Sequence, residues 1–335
     1  MISFKQPCHP LGAQWYRRTA RFSNFPRFAR TLVAWVLVAC VGASLALPAG
    51  AAPAALKVFA CEPEWGALAR ELGAERVDVY VATTALQDPH QIQARPSLIA
   101  RARNADLLAC TGAELEAGWL PLLLQQSGNA RIQSGLPGHF MAADHVTKLE
   151  VPTQVDRSQG DVHASGNPHV QTDPRRLATI ALALSQRLQQ IDPAGAAHYR
   201  QRGEDFQRRW ALALARWNAQ AAPLRGVAVV SQHKGYAYLY EWLGLREVAV
   251  LEPRPGVEPG AAYLQQVLTA LKATPPRMTL YSAYQDARAA DWLARQAGVP
   301  AVKIAFTVGG TEGAGDLFAL FDDTLDRLLH PGAKR

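Results

Sequence analysis

The first 51 residues contain no acidic side chain, although they carry six basic ones: Lys5, Arg17, Arg18, Arg21, Arg27 and Arg30. That absence accounts for nearly all of the formal charge of +7. Beyond Ala51 there are 29 basic residues against 28 acidic, a net of +1. No basic patch remains, so composition gives no ground for a nucleic-acid-binding surface. Long apolar runs are also lacking. The run from Leu32 to Leu47 is short for a membrane span, is interrupted by Gly42 and Ser44, and has no basic stop signal after it. Cysteine is sparse, and only Cys61 and Cys110 lie beyond residue 51. No sequence repeat relates the two halves, no nucleophile motif appears, and no His-Glu-x-x-His pairs a glutamate with metal-binding histidines.

What the N-terminus does contain is an Arg-rich start, the apolar run and the small-residue site Ala49-Gly50-Ala51. We read residues 1–51 as an export signal cleaved near Ala51. Leu37-Val38-Ala39-Cys40 has the form of a lipidation site at Cys40, but the residues after it stay apolar where a polar tether is expected. Export implies an oxidising compartment, in which an even pair of cysteines is suggestive.

The remainder alternates between strand and helix patterns. Strands are expected at 56–60, 77–82, 105–110 and 131–134, with helices to about 72, at 96–103 and at 114–126. Residues 135–168, rich in Gly, Pro, Ser, Asp and His, read as loop. A second alternation places strands at 227–231, 248–251, 277–281 and 301–306, and helices at 235–243, 259–273, 286–297 and about 316–329. Such alternation argues for parallel sheets flanked by helices. The halves meet at Gly166-Asn167-Pro168-His169-Val170-Gln171-Thr172-Asp173-Pro174. Here Asp173 is a good N-cap and Pro174 suits the first helical position. Leu177, Ile180, Leu184 and Leu188 follow at helical spacing. Asp192-Pro193 then restarts a helix to about Ala221, roughly 40 Å long at 1.5 Å per residue. The expected architecture is therefore α/β: two lobes, each a small parallel sheet flanked by helices, joined by a long spanning helix. The boundaries are 1–51 signal, 52–173 first lobe, 174–224 linking helices and 225–335 second lobe.

In open parallel sheets ligands bind beyond the carboxyl ends of the strands. His233 is at such an end, His90 follows a strand through a loop, and His169 occupies the turn before the linking helices. Each alone is more readily a capped loop histidine. His139, His145, His163, His198 and His330 have no comparable setting, although His163 lies close to His169. An expected strand order of 2-1-3-4 would make the strands ending at Cys61 and Cys110 neighbours about 4.8 Å apart. A disulfide, two buried free thiols and a thiolate touching a metal all remain open at this point.

Asp88-Pro89-His90, Asn167-Pro168-His169-Val170-x-x-Asp173-Pro174 and His233-x-x-Tyr236-x-Tyr238-Leu239 resemble the metal receptors of zinc and manganese ABC importers. Glu258-Pro259…Leu264…Leu271 is in register with the same family, and the resemblance covers about residues 56–330. It implies two α/β lobes with a metal in the cleft between them, held by His90, His169 and His233. The family's usual carboxylate after the last strand is missing. That position reads Thr307-Val308-Gly309-Gly310, so the fourth ligand is expected to be Glu312 or water. Three imidazoles suit Zn²⁺, whereas Mn²⁺ prefers more oxygen ligands and a coordination number of six. The function implied is a periplasmic, monomeric, non-enzymatic receptor that captures Zn²⁺ and passes it to an inner-membrane ABC permease. An exported zinc hydrolase using the three histidines, or a receptor for a chelated metal, are the alternatives.

Overall fold

A computed structural model describes residues 54–154 and 163–333. The export-signal reading, Cys40 included, lies outside the described residues. Among those described, no helix is long and apolar enough to cross a membrane.

The first sheet runs β2-β1-β3-β4, all parallel, from β1 (Leu56–Ala60), β2 (Val77–Val81), β3 (Leu107–Cys110) and β4 (His139–Met141). Helix α1 (Pro63–Gly73) starts on Pro63, whose missing N–H costs nothing there, and turns Trp65, Leu68, Ala69 and Leu72 toward the sheet. Helices α2 (Pro96–Arg103) and α3 (Leu120–Ser127) cover the other face, where Leu98, Ala102, Leu120 and Leu123 are buried. Strand β3 is buried at every position, as expected of a central parallel strand covered on both sides.

Three expectations fail in this lobe. The helix expected from residue 114 begins only at Leu120. Gly112, Ala113 and Glu114 have φ of 77°, 48° and 68°, and a left-handed run of that kind cannot continue a right-handed helix. The turn is held by Glu116, whose carboxylate accepts from the amides of Thr111 (2.7 Å) and Gly112 (3.0 Å). The strand expected at 131–134 is instead a 3₁₀ turn, Ala130–Ile132. The fourth strand lies inside the span read as loop. With three residues it is too short to show a period.

The linking segment forms α4 (Pro174–Ile191) and α5 (Ala196–Gln220). Asp173 caps α4 by accepting from Arg175 N at 2.8 Å. Asp192 ends the helix and gathers Arg76, Tyr199 and Gly195. The two helices approach closely where a Cβ on Gly203 would come within 2.5 Å of Ser185 Oγ. Helix α5, about 38 Å long at 1.5 Å per residue, is tied at both ends. Arg202 donates to the carbonyl of Glu71 on α1. Further along, Trp217 Nε1 donates to Asp322 of α9 at 2.6 Å. Phe206, Trp210 and Trp217 are buried on it, each contributing roughly 1.5–3 kcal/mol or more by burial.

The second sheet, β6-β5-β7-β8, is again parallel: β5 (Ala228–Ser231), β6 (Arg246–Val250), β7 (Met278–Ser282) and β8 (Ala301–Ile304). Its helices are α6 (Ala237–Leu243), α7 (Ala261–Leu271), α8 (Arg288–Ala297) and α9 (Leu317–Leu329). The molecule is thus two α/β layers joined by a long helix, and the carboxyl ends of β1, β3 and β5 all open toward the region between them.

Candidate metal centre

Asp88, at the end of the loop after β2, builds a one-turn 3₁₀ helix (Pro89–Gln91) by accepting from His90 N at 3.0 Å. The same Oδ1 lies 2.7 Å from His90 Nδ1. A carboxylate there makes Nδ1 the protonated nitrogen and leaves the Nε2 lone pair free. His233 follows β5 and is arranged the same way, its Nδ1 2.7 Å from Glu252 Oε2. Glu252 is itself fixed by the amide of Gly256 at 2.9 Å.

His169 comes from the connecting stretch. Gly166 has φ +102°, and a Cβ on it would meet the carbonyl of Leu149 at 2.8 Å, so the turn needs glycine. Asn167 Oδ1 accepts from His169 N at 3.0 Å. Asn167 in turn is fastened to the second lobe, because its Nδ2 donates to the Lys234 carbonyl and its own carbonyl accepts from Tyr238 OH. The spacing His233-x-x-Tyr236-x-Tyr238 therefore has a physical sense: one tyrosine holds the turn that carries another histidine. His169 is 1 % exposed, packs its ring edge against Phe306, and has no hydrogen-bond partner at Nδ1.

These three rings form a near-equilateral triangle, with centroids 5.5, 5.8 and 6.0 Å apart. One nitrogen from each lies within 4.8 Å of the others. A fourth ring stands beside them, outside the set whose nitrogens all lie within 4.8 Å of one another. His163 Nε2 is 3.3 Å from His90 Nε2, and its ring lies 5.3 Å from that of His90 and 6.4 Å from that of His169. Two nitrogens bound at 2.0–2.1 Å to a tetrahedral ion stand about 3.3–3.4 Å apart, so this pair already has the spacing of a tetrahedral edge. Glu114 pins the segment by accepting from Ala164 N (2.6 Å) and Ser165 Oγ (3.3 Å). Burial, reinforced by the neighbouring imidazoles, pushes His169 well below the usual histidine range and His163 down to about 4. Both are therefore neutral, electron-pair-bearing rings at pH 7. The group opens into a cleft of about 360 Å³, lined also by Glu150, Asn167, Lys234 and Pro255.

Glu312 is not part of this group. It is exposed and lines a separate depression with Tyr281, Lys303, Arg327 and His330. Thr307, standing where the family carries its carboxylate, instead donates its hydroxyl to Glu64 of the first lobe. Cys61 and Cys110 are joined in a disulfide with their Cα atoms 4.8 Å apart, which leaves no thiolate among the described residues to approach a metal. The other histidines serve locally: His139 bonds the Ile132 carbonyl, His145 stacks on Phe140, and His198 bonds the Gly73 carbonyl. His163 was legible only as a histidine near His169 in sequence. Its signal was the His-x-x-Gly-Asn-Pro-His spacing, which a turn at Gly166 folds back toward His90.

Two parallel four-stranded lobes bridged by one long helix, with histidines of both meeting in the cleft, define a two-lobed binding protein of the metal-receptor type. The chain belongs to the ZnuA family, zinc-uptake complex component A, periplasmic, whose model matches residues 58–330. The high-affinity zinc uptake system protein ZnuA of Yersinia pestis is 26% identical over 198 residues, 55% of this chain and 61% of that protein. That match spans less than two thirds of the relative. A crystal structure of ZnuA superposes with a TM-score of 0.68 at 18% identity, covering 82% of this chain and 98% of that one. FpvC from Pseudomonas aeruginosa, in complex with Mn²⁺, does so with 0.66 at 20% identity, covering 82% and 95%. At these identities the two structures share the fold alone.

Proposed function

We propose that this protein is a periplasmic receptor that captures Zn²⁺ between its lobes and delivers it to an ABC permease. In this reading His90, His169 and His233 are the ligands, His163 is the fourth nitrogen, and residues 52–173 and 225–335 are lobes joined by the linking helices of 174–224 after loss of a signal at 1–51. The observation that carries it is the convergence of the three imidazoles from separate loops, with carboxylates behind two of them.

Charge supports the choice of ion. Four neutral imidazoles around Zn²⁺ leave a net +2, and Asp88 and Glu252 supply two negative charges at the far nitrogens of His90 and His233. Nitrogen ligands favour Zn²⁺ over Mn²⁺, and a tetrahedral set leaves Mn²⁺ short of its six ligands. FpvC was solved with Mn²⁺, so fold alone does not select the metal and the ligand set must. A hydrolase reading finds little support, because both carboxylates nearest the histidines are engaged with imidazole and so are poorly placed to act as a base. Competitive titration of chelator-stripped protein with Zn²⁺ and Mn²⁺ tests the proposal. Zinc should bind at least tenfold tighter, and equal affinities would overturn the metal assignment.

A further inference from the structure

A second polar cluster lies in the same seam and uses none of the histidines. Glu62 follows β1, Glu64 sits in the first turn of α1, and Glu116 closes the turn after β3. They are 3, 1 and 2 % exposed. Among the described residues none of the three makes an ion pair with Lys, Arg or His. The groups facing them from the surrounding elements are neutral. Thr111 and Trp65 form a relay in which the indole donates to the Thr111 hydroxyl (2.8 Å) and that hydroxyl to Glu62 Oε2 (3.0 Å). Thr83, Gln87, Gln171, Tyr284 and Thr307 complete the wall. The neighbouring Cys61–Cys110 sulfurs are tied in the disulfide and do not titrate.

Three buried negative charges with no counter-charge would cost many kcal/mol. The hydrogen bonds show how that is avoided. Glu116 receives the amides of Thr111 and Gly112, a setting for an anion. Glu62 has only the Thr111 group on Oε2, shared with Glu116, and its Oε1 has no partner. Gln171 Oε1, on a side chain 2 % exposed, also lacks a donor and lines the same cavity of about 20 Å³. Two buried acceptors without a donor call for a hydrogen that an ionised cluster cannot provide.

We propose that this cluster is a proton-binding site: in the neutral-pH molecule Glu62 holds a proton against Glu116. Burial pushes all three carboxyls up, Glu64 and Glu116 to about 7 and Glu62 furthest, with the neighbouring carboxylates adding to the rise at Glu62. Glu64 accepts from Thr307 across the seam, so the charge state of the cluster is linked to contact between the lobes. The linkage has a definite sign. Carboxyls raised on folding stabilise the protein fully below their unfolded value near 4.5, and that stability is lost as pH climbs through about 7.

The test uses metal-free, chelator-treated full-length protein, so it is independent of the metal reading. Infrared spectra of ¹³C-glutamate-labelled protein at pH 7 should show the carbonyl stretch of protonated carboxylic acid. Glu62→Gln, which mimics the protonated form, should remove part of that band. The same variant should gain thermal stability relative to wild type at pH 8 and show no such gain at pH 5. A wild-type spectrum without the band at pH 7 overturns the proposal, even if the variant does not fold. So does a folded Glu62→Gln protein whose melting offset from wild type is the same at both pH values.

Discussion

Asp88 and Glu252 differ from Glu62, Glu64 and Glu116 in one respect that decides their chemistry. The first two each face an imidazole N–H, within 2.7 Å. The other three face hydroxyls, backbone amides and one another, with no cation among them. In the same seam, carboxylates of the first kind orient the proposed ligand imidazoles, and those of the second hold a proton among themselves, Glu62 against Glu116. Depth works in the same direction: the side chains of Asp88 and Glu252 are 33 and 11 % exposed, the cluster residues only 1–3 %, and the same desolvation keeps His169 neutral. A buried titratable group takes whichever form its immediate donors can satisfy.

The largest expected effect comes from the support of the acid cluster. The disulfide joins the two residues immediately before Glu62 and Thr111, closing a loop with a sequence separation of 49. Loop-closure entropy for that length gives about 4 kcal/mol. Denaturant unfolding of a Cys61→Ser/Cys110→Ser protein should show a loss of that order. Next comes the histidine cluster. Zn²⁺ at a hundredfold over its dissociation constant should stabilise the wild type by about 2.7 kcal/mol, read as a rise in melting temperature. Replacing His90, His169 or His233 by Ala should abolish most of that rise, while His145→Ala, at a ring stacked on Phe140 away from the cleft, should leave it intact. A smaller effect is expected from the carboxylates behind the ligands. Asp88→Asn or Glu252→Gln should weaken zinc binding roughly 10- to 100-fold, with the fold unchanged by circular dichroism.

How much of this was open to a reader of the sequence follows from the same physics. Alternating strand and helix patterns are local, so the order of the two sheets and the linking helices could be drawn from periodicity and caps such as Asp173-Pro174. Strand β4 could not, since three residues carry no period and its pairing with β3 is set by packing. The late start of the helix expected from 114 was not legible either, because the left-handed turn at 112–114 depends on Glu116 reaching back to two amides, a tertiary fact. His90, His169 and His233 stand out as candidates through motif resemblance and position near strand ends, and the structure brings their rings together. The acid cluster was invisible because its members are spread over residues 62–116 and each alone reads as an ordinary helix or turn carboxylate. Only the missing carboxylate at Thr307 hinted that the seam is unusual, and it suggested Glu312, which lies elsewhere.

The smallest predicted change concerns His163, and it separates a ligand from a bystander. Its Nε2 stands at the spacing of a tetrahedral edge from His90 Nε2, and Glu114 holds the backbone that carries it. Yet it is held less firmly than most of the others. Like His169, and unlike His90 and His233, it has no carboxylate at its far nitrogen among the described residues, and its ring is less buried than those of His169 and His233, so water can take its place. A zinc site with three protein ligands and water is stable in its own right, so His163→Ala should cost only about tenfold in zinc affinity, roughly 1.4 kcal/mol. Glu114→Gln, which keeps the ring but weakens the grip on its segment, should fall between wild type and His163→Ala. Cobalt substitution gives the direct reading: the visible spectrum of Co²⁺ reports coordination, and loss of one nitrogen to water should shift it in His163→Ala and leave it unmoved in His139→Ala. An identical cobalt spectrum and identical zinc affinity in His163→Ala would make His163 a neighbour of the centre and not a ligand, and would leave the fourth position to solvent.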